Sequence, residues 1–283
     1  IENRGSLSGI AFLATNVGAV PLALLIATSD LTTNSIISLI WRGLGLTILF
    51  ALKPKEIIQP TEDIKPVTFL SIFRYRPFVL YLIPWFMFCL IDRFEAPILD
   101  HVYRFELERS VVTIVGPSVG SISAFIGGLL SDRIGRKRVV IYGFIALGLA
   151  YAIIGIAPAL QISWYLFVFV NAVSAGILWV VFILTLWGDL SPKGASEKYY
   201  AVGNIPFFIT WGVLQLFSAH YLTLIPTYAA FSFASFFLFL AVLPLLYAPE
   251  TLPERKIELG RLRGYMEKAR KVKEKYQGTS DKT

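Results

Sequence analysis

The feature that most constrains this chain is a succession of long apolar segments separated by short polar turns. Each apolar run holds about 20 residues, which at about 1.5 Å per residue in a helix crosses a hydrocarbon core about 30 Å thick. Inside lipid every backbone N–H and C=O group must be paired within the protein, so runs of this length have to be helices. We therefore predict an all-α, polytopic transmembrane helical bundle.

Eight spans are predicted along the chain. They cover roughly residues 7–28, 34–52, 78–99, 111–130, 139–158, 163–188, 200–221 and 226–247. The third span is the least regular, because its uninterrupted apolar sequence ends at Ile91 and is followed by Asp92, Arg93 and Glu95. That helix either ends early or packs against other parts of the protein at these charged residues.

Composition favours a membrane protein over a soluble domain. The 283 residues are 55% hydrophobic and 16% charged, whereas about a quarter of the residues in a soluble domain are charged. The single cysteine, Cys89, excludes a disulfide within the chain. Because the chain starts at Ile1 rather than Met and shows no signal-peptide pattern, we expect a fragment, a split gene product or a processed chain.

The positions of the Lys and Arg residues predict the orientation in the membrane. They fall almost entirely in one set of alternate connections, and the opposite set holds only Arg93, Arg104 and Arg109. By the positive-inside tendency, the side that is rich in Lys and Arg is cytoplasmic. This places both chain ends inside, which agrees with an even number of spans. We expect a multi-pass protein of the plasma membrane.

A basic loop with a specific spacing follows the fourth predicted span, in the sequence GGLLSDRIGRKRV. Its defining residues are Gly128, Asp132, Arg133, Gly135, Arg136 and Lys137. Gly128 lets helices approach closely, Gly135 permits a left-handed backbone, and Asp132 can face the positive end of a neighbouring helix dipole. The alternative is an ordinary basic loop, but charge alone does not require the Gly and Asp positions.

This loop resembles the signature cytoplasmic loop of the major facilitator superfamily, Gly-x-x-x-Asp-Arg-x-Gly-Arg-Arg/Lys, with every defining position filled. Three further segments, by their order along the chain, place this loop in the second half of that family's twelve-helix fold. Arg4 and Gly5 resemble the start of the fifth helix, and residues 189–204 that of the eleventh, although Lys198 replaces the usual Arg-Gly or Arg-Ala pair. The Pro-Glu-Thr segment at 249–251 resembles the exit from the twelfth helix in sugar-porter-like members.

The resemblance implies helices five to twelve of the family, with helices one to four as missing partners that supply half of any substrate cavity. The implied parts are two helices of the N-terminal half (1–52), a central cytoplasmic linker (53–77), the C-terminal six-helix half (78–247) and a basic cytoplasmic tail (248–283). The composition of the tail favours a solvated or membrane-surface helix attracted to anionic lipid over a partner-binding helix.

The resemblance also implies a function, namely transmembrane solute transport by alternating access of two bundles around a midplane site. The implied protein is a permease or symporter, proton-coupled or facilitative, for a small metabolite, organic acid or sugar. Its implied partners are the lipid bilayer, a small-molecule substrate and, for a symporter, protons. No cofactor, metal or nucleic acid is expected.

Candidate substrate or proton contacts lie on the implied seventh, tenth and eleventh helices. They are Trp85, Asp92, Arg93, Glu95, Asn171, Ser174, Trp179, Asn204 and Gln215. An ionisable residue within a span is costly, which invites a functional hypothesis for the three charged residues. The alternative is that the helix ends there and they pair with each other. For the polar residues the alternative is an interhelical hydrogen bond, worth about 0.6 to 2 kcal/mol.

One geometric expectation combines the loop with the family's symmetry. Asp132 and the start of the first span lie on the same side, and in the family this loop braces the facing half. We expect Asp132 near the turn at Ser6 to Gly9, with Arg4 close by, as an interdomain latch that favours the outward-open state.

Other classes of function compete with transport. A transport-inactive fragment, or a membrane structural or sensory protein, would keep the same fold. A membrane-embedded enzyme is disfavoured, because His101 and His220 are isolated and the sequence shows no metal-ligand or nucleophile constellation. Nucleic-acid binding is disfavoured because the net charge of +7 follows the membrane sidedness and the tail holds no recognisable motif.

Overall fold

The computed structural model describes residues 4–27, 31–52, 67–106, 111, 115–192, 195–221 and 227–252, and these are helical with short connections. The helices are α1 (Arg4–Ala27), α2 (Leu31–Leu52), α3 (Phe69–Arg74), α4 (Arg76–Glu106), α5 (Gly116–Ile134), α6 (Arg136–Ile156), α7 (Gln161–Trp179), α8 (Trp187–Leu190), α9 (Ser196–Tyr221), α10 (Thr227–Leu240) and α11 (Val242–Tyr247). A π-helical segment, Val180–Leu186, joins α7 to α8. The predicted tail from residue 253 and residues 53–66 of the predicted linker lie outside the described residues.

Four of the described helical stretches are long and apolar enough to cross a membrane. They are Arg76–Leu99, Arg136–Ile156, Gln161–Leu190 and Ala229–Tyr247. The last of these runs through α10 and α11, and the third includes the π segment and α8. The described helices overlap all eight predicted segments, and most begin about three residues before the predicted start.

The second half of helix α4 decides between the two alternatives that the sequence left open. The helix continues without interruption from Arg76 to Glu106 and contains Pro84 and Pro97. The alternative that this helix ends after Ile91 is therefore wrong. Charged residues do not stop a helix whose backbone hydrogen bonds can still be satisfied within the protein, because the constraint on the backbone in lipid outweighs the preference of three side chains for water.

The core of the bundle is a cluster of aromatic side chains between α4, α6, α7 and the π segment. The Trp85 ring stacks on Phe182 at 4.9 Å between centroids and on Phe88 at 5.5 Å. Trp179 meets Trp85 edge to face at 5.6 Å, and Phe144 meets Phe182 the same way at 6.3 Å. Such aromatic pairs contribute about 0.5–1.5 kcal/mol each beyond burial, so they fix how α4 packs on the rest.

Helix α1 packs against α5 through glycines. A Cβ atom added to Gly128 would lie 3.1 Å from the carbonyl carbon of Gly5 and 3.3 Å from the Cα of Gly9. Both distances are shorter than ordinary van der Waals contact, so the two backbones touch where Gly128 lies. This close approach brings the first turn of α1 onto the last turns of α5.

Replacing Gly128 should therefore separate α1 from α5. We expect Gly128→Val to destabilise the protein by about 1–3 kcal/mol, the usual cost of forcing extra atoms into a packed contact. Thermal unfolding in detergent measures the effect. The matched control is Gly43→Val, since a Cβ at Gly43 meets nothing within 4 Å. An equal loss in both variants would contradict the close contact.

Candidate functional site

The signature loop is a one-residue turn between α5 and α6. Gly135 alone separates Ile134 from Arg136, and its φ of 105° lies in the left-handed region that side chains disfavour. A Cβ at this position would also lie 2.9 Å from the Glu250 carboxyl carbon. The tight turn holds Asp132 and Arg136 at the same end of the bundle, here called the signature-loop end.

The Asp132 carboxylate binds the first turn of α1. It accepts hydrogen bonds from the backbone N–H groups of Gly5 at 3.2 Å and Ser6 at 2.7 Å, and from the Ser6 hydroxyl at 2.6 Å. The first N–H groups of a helix have no partner within that helix, and they carry its positive partial charge. A carboxylate from α5 thus satisfies the start of α1.

Arg136 links Asp132 to a second carboxylate. Its guanidinium is only 2% exposed, lies 3.0 Å from Asp132 through Nη1, and donates through Nε to Asp189 of α8. Asp189 also pairs with Arg4 of α1 at 3.4 Å. Arg4, Asp132, Arg136 and Asp189 therefore form one ion-pair cluster with alternating charges, which joins α1, α5, α6 and α8.

The environment of Asp132 keeps its carboxylate charged. Asp132 lies beyond the predicted span that ends at residue 130. Burial raises the pKa of its carboxyl, but hydrogen bonds from Ser6 and Arg136 outweigh burial and hold that pKa below its usual range. The contacts to α1 are therefore charge-assisted at neutral pH, which makes them roughly twice as strong as neutral ones.

Glu250 provides the corresponding contact at the start of α6. Its carboxylate accepts hydrogen bonds from the backbone N–H of Arg136 at 2.8 Å and of Lys137 at 3.2 Å. The Tyr81 hydroxyl donates to the Pro249 carbonyl at 2.7 Å, which ties the same segment to α4. The Pro-Glu-Thr segment therefore caps α6 instead of simply leaving the bundle.

A cavity of about 290 Å³ lies between α1, α5 and α7, toward the end of the bundle opposite the ion-pair cluster. It is lined by Phe12, Gly116, Pro117, Gly120, Ser121, Val168, Asn171, Ala172, Ala175, Gly176 and Trp179. Two of the predicted contacts, Asn171 and Trp179, are among these residues. Trp85 is not, because its ring is fully buried in the aromatic core.

The other predicted polar contacts have different surroundings. Ser174 is fully buried, and its hydroxyl has no hydrogen-bond partner among the described residues. The Asn204 side-chain amide donates to the Tyr200 carbonyl of its own helix at 3.0 Å. Gln215 lies outside the described side chains. The structure thus brings together Asn171 and Trp179, and leaves Asn204 engaged within α9.

Residues 107–275, more than half of the chain, match the model of the Major Facilitator Superfamily. The chain belongs to this superfamily. The match confirms the resemblance inferred from the signature loop, and with the helical architecture it confirms an all-α, polytopic membrane bundle. None of the curated proteins compared with the chain matches it. As a member of the Major Facilitator Superfamily, it is a multi-pass membrane transport protein that lies in a lipid bilayer and handles a small-molecule substrate.

In this superfamily member the three charged residues of α4 that were predicted as contacts are not equivalent. Asp92 and Arg93 pair with each other at 3.3 Å, and the Arg93 guanidinium carbon lies 5.1 Å from the centroid of the Phe207 ring. Glu95 is fully buried, and neither of its carboxylate oxygens has a hydrogen-bond partner among the described residues. The charge of Arg93 is therefore matched within a pair, whereas Glu95 has no matching charge among the described side chains.

Sequence reasoning missed the role of Asp189, which pairs with two arginines. The available signal was an acidic residue at the end of an apolar segment, on the side where arginines concentrate. Among the described residues no group of three or more His, Cys, Asp or Glu side chains could hold a metal ion.

The cap on α6 leads to a stability prediction. We expect Glu250→Ala to cost about 0.5–2 kcal/mol, as for other residues that cap helix N-termini, because two backbone N–H groups lose their acceptor. Thermal unfolding in detergent measures this loss. Glu197→Ala, at an exposed position of α9, serves as the control and should cost clearly less. Equal losses would show that Glu250 contributes only its surface charge.

Proposed function

We propose that this protein is a secondary transporter that moves a small metabolite, organic acid or sugar by alternating access, either proton-coupled or facilitative. The observation that carries this proposal is the ion-pair cluster, which fastens α1 to α5, α6 and α8 at one end of the bundle. The cavity lies between α1, α5 and α7 beyond that closed end. A closed end below an internal cavity is the arrangement that alternating access requires.

We further propose that α1 and α2 belong to the N-terminal half of the family fold and α4–α11 to the C-terminal half. Residues 53–77 would then be the linker and 248–283 the tail, and helices one to four would complete the cavity. In this division the hydrogen bonds from Gly5 and Ser6 of α1 to Asp132 of α5 are contacts between the two proposed halves. The Pro-Glu-Thr cap on α6 supports a sugar-porter-like subtype.

The proposed orientation places the signature-loop end in the cytoplasm of a plasma-membrane protein, with both chain ends inside. Exposed cations cluster at this end, and these include Arg74, Arg76, Arg133 and Arg138. Exposed Lys and Arg residues favour the cytoplasmic side. The closed end of the bundle would then be cytoplasmic, and the state would be outward-open.

In this proposal the contacts of Asp132 and Arg4 form the interdomain latch. Opening toward the cytoplasm requires α1 to leave α5, which breaks the bonds from Gly5 and Ser6 to Asp132 and the Arg4–Asp189 pair. The latch would therefore hold the outward-open state until the free energy of substrate binding offsets the free energy of the latch contacts.

The cavity lining supports an uncharged substrate among the proposed classes. The described residues that line it include the Asn171 amide and the Trp179 ring and no charged side chain. An amide can both donate and accept hydrogen bonds, and an indole ring packs against the apolar face of a sugar-like ring. Within the proposed range, this lining favours a neutral, hydroxyl-bearing solute over a carboxylate.

Transport by the full-length protein in proteoliposomes tests the proposal. We expect saturable uptake of one class from a panel of labelled sugars, carboxylates and cations, measured with and without a pH gradient. Stimulation by the gradient would identify proton coupling, and its absence a facilitative carrier. No uptake of any compound would favour the alternative of a transport-inactive membrane protein that retains the fold.

The latch predicts a change in accessibility. In a Cys89→Ala background we expect Asp132→Asn to raise the labelling rate of Ser8→Cys by about tenfold, because losing about 1.4 kcal/mol of contact free energy changes an equilibrium by that factor. Ser8 is buried against the Leu184 carbonyl and becomes accessible only when α1 separates. An impermeant maleimide applied to inside-out vesicles measures the rate.

The matched control for this experiment is Arg133→Gln, which changes a charge on the same turn at an exposed position. With this substitution, the labelling rate of Ser8→Cys should stay equal to that in the Cys89→Ala background alone. A latch of the proposed kind is ruled out if both substitutions raise the rate equally, or if neither does.

A further inference from the structure

Among the described residues, Glu95 is a buried acidic group that the ion-pair cluster and the cavity do not explain. It lies seven residues beyond Phe88, which returns it to the same face of α4, and its helical neighbours Ile91 and Ile98 are buried as well. Its side chain is fully buried, and both carboxylate oxygens lack a hydrogen-bond donor among the described residues. An ionised carboxylate in this position would lose its hydration and gain nothing in return.

Among the side chains that the structure describes, charged groups near α4 do not offset that loss. Arg93 is paired with Asp92, at 3.3 Å. On the elements packed against α4, the described charged side chains lie at the signature-loop end: they are Arg74, Arg136, Lys137, Arg138, Asp189, Glu197 and Lys198. Glu95 lies nineteen residues along α4 from Arg76, about 28 Å away by helical rise. The side chains of Asp100, His101, Arg104 and Glu106, further along α4, lie outside the described residues.

A carboxylate without an ionic partner has to bind a cation, and a proton is the cation that this site fits. Hard metal cations take six or more oxygen ligands, or keep several waters around them. Glu95 offers two oxygens, and no other described acidic or histidine side chain combines with it into a metal-binding group. A proton needs one oxygen only, and it removes the charge.

We propose that Glu95 is a proton-binding site of the transport cycle, protonated in the closed environment seen here. When the helices rearrange and water reaches α4, the O–H bond of the carboxyl breaks and the proton passes to a water molecule. This proposal rests on the proposed transport function and assigns its coupling ion.

Pro97 supports a rearrangement at this point of α4. Proline has no backbone N–H, so the carbonyl of Arg93, four residues earlier, lacks its helical hydrogen bond. This unpaired carbonyl and Pro97 lie on either side of Glu95 in the sequence. Bending of α4 there would change the exposure of the Glu95 carboxyl more than a rigid shift of the whole helix would.

Infrared spectroscopy of the full chain in lipid bilayers tests the proposal without any substrate. We expect a C=O stretching band of a protonated carboxyl at neutral pH, which disappears at alkaline pH and is absent from Glu95→Gln. Glu197→Gln, at an exposed position, should leave the band unchanged. Glu95→Asp should keep a band at a shifted frequency, which covers the case in which Glu95→Gln fails to fold.

Three results would overturn the proposal. The first is a spectrum at neutral pH that shows carboxylate bands and no C=O band of a protonated carboxyl. The second is a carboxyl band whose frequency and intensity stay the same in Glu95→Gln and in Glu95→Asp. The third is loss of the band on adding Na⁺ at constant pH, which would replace the proton by a metal cation. A protein that shows the band but transports no compound would contradict the proposed function and leave Glu95 as a proton site.

Discussion

A buried guanidinium has to be paired, and that requirement fixes the signature-loop end of this protein. Arg136 is almost inaccessible to solvent, and its two carboxylates come from α5 and α8. Removing one partner of such a pair costs about 3–5 kcal/mol, because it leaves an uncompensated buried charge. Helices α5, α6 and α8 therefore cannot shift separately, and the position of α1 follows from them through Asp132 and Asp189.

The sequence is sufficient to predict the helices and the loop, because both depend on local properties. Apolar length predicts a span, and the Gly135 turn with Asp132 depends on residues close together in the chain. Most helices start about three residues before the predicted start, since backbone hydrogen bonding begins before the first apolar residue. Asp189 could not be assigned, because its partners Arg4 and Arg136 come close only after the helices pack. The same reason explains why only burial distinguishes Glu95 from its charged neighbours.

The π segment connects the cavity to the ion-pair cluster. It begins directly after Trp179, which lines the cavity, and it ends three residues before Asp189. Its wider turn leaves the Leu184 carbonyl available to two hydroxyl groups, Ser8 of α1 at 3.4 Å and Tyr200 of α9 at 2.6 Å. Short π segments inside helices are frequent at functional sites. A change around Trp179 would reach Asp189 through the nine intervening residues of one continuous helical stretch.

The distribution of exposure across the cluster makes a reversible latch physically possible. Arg136 keeps both carboxylates on α5 and α8 if α1 moves away, so no buried charge is left unpaired. The contacts that must break are the Arg4–Asp189 pair, whose side chains are 25% and 13% exposed, and the hydrogen bonds from Gly5 and Ser6 to Asp132. When α1 separates, water can replace these hydrogen-bond partners. The buried pairing of Arg136 is thus confined to α5, α6 and α8, and the separation of α1 breaks only contacts that water can replace.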